Sequence, residues 1–126
     1  MDERERAPRP PAGTTVVTLP AEIVYANAGQ VGDELAAAFA PGVTTIVADL
    51  TPSTFCDTSG IREMVTAQKL AAASNAEFRL VIPPGQLMRI FTVAGLDGWL
   101  SIYPNLSAAL AADPARKAEH TPSAYA

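Results

Sequence analysis

One cysteine and one histidine are all that 126 residues offer of the side chains most used in redox and metal chemistry. Cys56 alone cannot close an intrachain disulfide, so a reducing cytoplasm is the expected setting. His120 lies in a Pro- and Ala-rich terminal stretch, which leaves a Ser-His-Asp triad without a positioned base and a zinc site without its ligands. Neither a P-loop nor a Gly-x-Gly-x-x-Gly fingerprint occurs, so nothing warrants nucleotide hydrolysis or dinucleotide binding. No apolar run approaches the ~20 residues that span a bilayer, and the opening MDERERAPRPPAG sets charges and prolines where an export signal needs an apolar core. With 9 basic against 13 acidic residues the net charge is -4, which argues against direct nucleic-acid binding. Neither metal nor cofactor is expected, and no residue is assigned a catalytic role.

What is present is a chain 48% hydrophobic, sufficient for the core of one domain. Residues 1–13 combine prolines, arginines and acids and predict a disordered arm, and residues 113–126 revert to the same kind of composition and predict a flexible tail. Between them, over 14–112, strand and helix patterns alternate. Thr14–Leu19 is β-branched and closed by Pro20, and an extended piece continues through Ile23 and Val24. Residues 27–40 carry Val31, Leu35, Ala38 and Phe39 at helical spacing, with Asn27 as the expected N-cap and Pro41-Gly42 as terminator. Thr44–Leu50 is almost wholly apolar or β-branched, as for a strand buried on both faces of a parallel sheet.

A helix follows in which Ile61, Met64, Val65, Gln68 and Ala72 make the expected core stripe and Arg62, Glu63, Thr66 and Lys69 occupy the other faces. Phe78–Ile82 reads as a strand, 86–94 as a short helix ended by Gly95, and Trp99–Tyr103 as a further strand. Asn105 caps a last helix with Leu106, Ala109 and Leu110. The alternation predicts an α/β fold with helices packed on a mixed or mostly parallel sheet.

The run Phe55-Cys56-Asp57-Thr58-Ser59-Gly60 stands between the apolar strand and the amphipathic helix. It puts two hydroxyls and a carboxylate at a helix start, where N–H groups lack intrahelical partners and the dipole favours an anion. Asp57 is expected to cap the helix or to orient a neighbouring hydroxyl. Ser59 is the preferred phosphate acceptor because Gly60 beside it has no side chain to block the approach of a partner, and Thr58 is the alternative. An ordinary N-cap with no regulatory role is the competing reading of the run taken by itself.

The order of these segments resembles the STAS domain, and in particular the bacterial anti-sigma factor antagonists. Thr44–Leu50 followed by Phe55–Ile61 is similar to that family's central strand and Asp-Ser-Ser-Gly-Leu type motif. Ala21–Ala28 resembles its Gly-Glu-Ile-Asp segment, Met88–Leu96 its late helix and Gly-Leu turn, and Ile102–Leu110 its closing strand and helix. The resemblance implies a STAS-type fold with about four strands. It also implies a non-enzymatic protein that binds an anti-sigma factor, itself a serine kinase, and thereby releases a sigma factor. Phosphorylation of Ser59 would reverse binding and a PP2C-like phosphatase would restore it. Asp57, Thr58, Ser59, Gly60, Arg62, Glu63 and Thr66 are the expected motif and partner-binding residues.

The chain departs from the family at two places. Val24 stands where many antagonists have aspartate, and residues 1–13 are proline-rich where many relatives have an edge strand. The second departure opens a sheet edge along which a homodimer could pair. The alternative reading is a constitutive, unphosphorylated STAS adaptor in a larger regulatory or transport assembly.

Overall fold

The computed structural model describes residues 9–113. Most of the expected arm and tail, and His120 with them, lie outside these residues. The elements run β1 (Thr14–Thr18), β2 (Glu22–Ile23), α1 (Tyr25–Ala37), β3 (Thr45–Asp49), β4 (Phe55–Cys56), α2 (Thr58–Ala73), β5 (Glu77–Val81), α3 (Gln86–Val93), β6 (Ser101–Tyr103) and α4 (Leu106–Ala111). The α/β, STAS-type architecture expected from the sequence is present. Four strands form a sheet in the order β1-β3-β5-β6, and each neighbouring pair is parallel.

Parallel central strands are covered on both sides, which is why β3 has no polar residue before Asp49 except its first threonine. Ile46 and Ala48 face one core with Phe78, Leu80 and Ile82, beneath α1, α2 and α3. Val47 and Val81 face the other, with Tyr103 and Ala109 of α4. Asp49 ends the strand by accepting Thr51 N–H at 2.9 Å through its side chain, a turn that asparagine and aspartate favour.

The chain segments of β1 and β3 pair a second time beyond the sheet, where β2 and β4 form a short parallel ladder, Glu22 opposite Phe55 and Ile23 opposite Cys56. Between the two ladders residues 19–21 face residues 50–54, so the register slips by two residues. Pro20 and Pro52 both fall in this gap, where an absent N–H breaks no ladder bond. The buried Ser53 hydroxyl donates to Pro20 O at 2.7 Å, and Thr54 N donates to Ala21 O at 2.7 Å, which resumes the pairing.

Two helices differ from expectation. Asn27 does not cap α1. The helix begins two residues earlier at Tyr25, and Asn27, at its third position, accepts Val24 N–H at 2.8 Å and donates to Glu22 O at 2.8 Å. On α2 the buried stripe is Gly60, Met64, Ala67 and Ala71, while Ile61, Val65 and Gln68 are half-buried and Ala72 is exposed. Small residues let the helix lie close to its neighbours, so the contact line follows them and the bulkier side chains fill its flank.

One charge sits inside the second core. Arg79 is 5% exposed; its Nε donates to Glu77 Oε2 at 2.7 Å and its Nη1 to Ala109 O at 2.6 Å. These bonds tie the end of α4, a helix of six residues, to the middle of the sheet. Burial raises the nearby Tyr103 phenol above its ordinary value, with Arg79 opposing and Glu77 reinforcing the shift. Arg79→Ala takes a buried cation away from the Glu77 carboxylate and from an α4 carbonyl, and is expected to cost about 3–5 kcal/mol in urea unfolding; a loss within error of zero would show that the pair carries no net stabilisation.

Candidate functional site

The corner between β4 and α2 is built around Asp57. As N-cap of α2 it has an extended backbone, φ −86° and ψ −176°, and its Oδ1 accepts Gly60 N–H at 3.1 Å. Its Oδ2 accepts Tyr25 N–H, the first of α1, also at 3.1 Å. One carboxylate thus serves the starts of two helices. Val24, the N-cap of α1, offers no side-chain acceptor, and Asp57 supplies from across the β2–β4 ladder what a polar cap would have supplied locally. Asp57 N–H donates to Ile23 O at 3.0 Å, which holds the carboxylate in register with α1.

Thr58 is exposed and Ser59 half-buried, in the first turn of α2. Neither hydroxyl has a hydrogen-bond partner among the described residues, so Asp57 caps helices and does not orient a hydroxyl. Gly60 is buried and not, as expected, open to a partner. A Cβ there would come 2.5 Å from Cys56 Sγ and 2.6 Å from Ile23 Cγ2. Its bare Cα seats α2 against β2 and β4 and opens no path for a partner.

Arg62 and Thr66 are exposed one and two turns after Thr58, on one stripe of α2. Glu63 is turned away from that stripe. It is half-buried against α1, where a Cβ on Gly32 would collide with its carboxylate. The structure therefore brings together Asp57, Thr58, Ser59, Arg62 and Thr66 along one surface and places Gly60 and Glu63 in packing positions.

Two aromatic residues at this corner were absent from the expected site. Tyr25 is 85% exposed at the first position of α1, and Phe55 is 44% exposed two residues before Asp57. Phe55 belongs to the motif run itself. Tyr25 is marked only by being a large aromatic directly after the cap position, a signal masked by reading Asn27 as the cap. Among the described residues no cluster of His, Cys, Asp and Glu could hold a metal ion.

The sequence profile of the STAS domain matches residues 6–109. The chain belongs to the STAS domain family. Among solved structures it is similar to an anti-sigma factor antagonist from Mycobacterium paratuberculosis, with a TM-score of 0.70 and 24% identity over 78% of this chain and 83% of that one. It is similar also to the Bacillus protein SpoIIAA in its unphosphorylated form, with a TM-score of 0.63 and 24% identity over 76% and 84%. A sulfate transporter family protein from Wolinella succinogenes shares the fold, with a TM-score of 0.68 and 14% identity over 82% and 87%. At these identities the likeness is one of fold. Among curated proteins no relative matches the sequence.

Cys56 lies behind the STAS corner, 2% exposed, and burial, with the charge of Asp57 adding to it, pushes its thiol from 9.0 up to about 12. The protonated thiol contributes stability that is complete below about 9 and is lost as pH climbs toward 12, because the unfolded chain releases its proton first. Cys56→Ala should flatten the fall in stability across that window, and an unchanged slope in alkaline urea titrations would discount the effect. Asp57→Ala should cost about 1–2 kcal/mol and speed amide exchange at both Tyr25 and Gly60; faster exchange at Gly60 alone would sever the link to α1.

Proposed function

We propose that this STAS protein is an anti-sigma factor antagonist. In this reading it binds an anti-sigma factor that is also a serine kinase, releases a sigma factor, and is switched off by phosphorylation of Ser59, with Thr58 as the alternative acceptor. It acts as a kinase substrate and not as an enzyme. The observation that carries the reading is the corner at which Ser59, with an unengaged hydroxyl, stands in the first turn of α2 beside a carboxylate held at two helix starts. A phosphate there adds roughly 1.5–2 negative charges. Asp57 can retreat from that charge only by giving up a cap, so the repulsion falls on whatever is docked at the corner. An interface penalty of about 3–4 kcal/mol weakens binding several hundredfold.

The reading places the protein in the cytoplasm with its kinase and a PP2C-like phosphatase, and no helix among the described residues is long and apolar enough to cross a membrane. A second reading, the constitutive adaptor, is favoured by Val24, which leaves the corner with one carboxylate fewer than the antagonist pattern. In that case binding to a larger regulatory or transport assembly is indifferent to charge at Ser59.

Incubation with the cognate kinase and ATP should place phosphate on Ser59 by mass spectrometry. Ser59→Ala should keep partner binding and Ser59→Asp should weaken it. Phosphate solely on Thr58 would move the acceptor, and full partner binding by Ser59→Asp would favour the adaptor.

A further inference from the structure

From Pro10 to Ile61 the chain contains no Lys, Arg or His and five acids, Glu22, Asp33, Glu34, Asp49 and Asp57. This stretch forms β1, β2, α1, β3 and β4, so this side of the domain contributes acids and no base of its own. Within that side, where α1 passes the end of β1, lies a notch of about 280 Å³. Leu19 and Val31, each 2% exposed, close its floor, and the exposed Thr18 and Pro20 of the strand end supply a methyl group and a ring as its accessible apolar surface. Gln30 and Glu34, one helical turn apart on α1, add an amide and a carboxylate. Both are exposed, and neither side chain has a hydrogen bond or ion pair among the described residues.

A few methylenes of apolar contact with an unpaired carboxylate and amide beside it match a long amphipathic cation. Arginine fits best, since its stem covers apolar surface while its planar fork pairs with a carboxylate and still donates to an amide oxygen. Among the described residues nothing pairs with the outer edge of the strand beside the notch. Gly13 O accepts from Thr44 N and Leu19 N donates to Asp49 O, so the alternation of a parallel ladder turns the backbone groups of Val16 and Thr18 away from β3, toward the sheet edge. An extended protein segment could therefore lie along β1 with one side chain in the notch, which a free small cation would have no reason to do.

We infer that the notch between β1 and α1 is a docking site for an arginine side chain of a partner protein, separate from the Ser59 corner. The inference rests on the antagonist reading only for the identity of that partner, the anti-sigma factor.

The test uses the full-length, isotope-labelled chain and two probes, acetyl-arginine-methylamide and its uncharged analogue acetyl-citrulline-methylamide. The arginine probe should shift the amide signals of Leu19, Gln30, Val31 and Glu34 saturably and bind about two- to fivefold more tightly than the citrulline probe, an advantage that Glu34→Gln should remove. Equal binding of the two probes, or binding indifferent to Glu34→Gln, would overturn the assignment. Tighter probe binding in an Arg4→Gln/Arg6→Gln variant would also overturn it, by showing that the chain's own arginines compete for the notch. Against the anti-sigma factor, Glu34→Lys should weaken binding by about tenfold, mainly through faster dissociation. If Ser59→Asp abolishes that binding while Glu34→Lys leaves it intact, the notch fails and the antagonist reading stands. If the arginine probe seats as described but no anti-sigma factor binds, the notch stands and the antagonist reading fails.

Discussion

Two helices of this fold begin within reach of a single carboxylate, and the geometry of the STAS corner depends on Asp57 serving both. A helix start exposes N–H groups that need acceptors. Asp57 meets that need for α2 through Gly60 and for α1 through Tyr25. The arrangement stands on a sequence of close contacts. Gly60, having no Cβ, lets α2 settle on Ile23 and Cys56; their pairing fixes β2 against β4; and the bond from Asp57 N–H to Ile23 O then aims the carboxylate at α1. Each step is a contact a single added methyl or a single lost acceptor would disturb. The exposed Tyr25 ring owes its place to the same bond, because it sits on the residue whose N–H is held.

The opposite face of the sheet solves a different problem. A six-residue helix has little stability of its own, since most of its backbone groups belong to unsatisfied ends. Arg79 reaches from β5 to the Ala109 carbonyl of α4 and is itself neutralised by Glu77. The buried ion pair thereby does for α4 what length does for α2. The consequence is an uneven division of labour: one side of the sheet is held by apolar packing under three helices, the other by a small apolar patch and a charge-assisted anchor.

The strands and the motif were legible because their signals are local. β3 is a continuous apolar run, and the Asp57 cap lies three residues from the N–H it accepts. The start of α1 was not legible for the same reason. Asn27 has the chemistry of an N-cap, but the acceptor for the N–H of Tyr25, the first helical residue, lies 32 residues beyond Tyr25 along the chain. The core stripe of α2 was misplaced by weighting large apolar residues, when close helix packing selects Gly60, Ala67 and Ala71. Glu63 looked like a surface charge because its partner is the missing side chain of Gly32.

The interrupted ladder bears on how the corner comes to exist at all. Pairing β1 with β3 closes a loop of roughly thirty residues that includes α1, an unfavourable step whose entropy grows only slowly with loop length. Once that pairing is made, β2 and β4 are already neighbours, separated from the completed ladder by three residues on one segment and five on the other. The second ladder adds little further loop-closure cost, and with it comes the register that sets Asp57 between the helices. The corner is therefore a topological dependant of the central strands: their register brings β2 and β4 together, while no β2–β4 bond is needed to keep β1 and β3 paired.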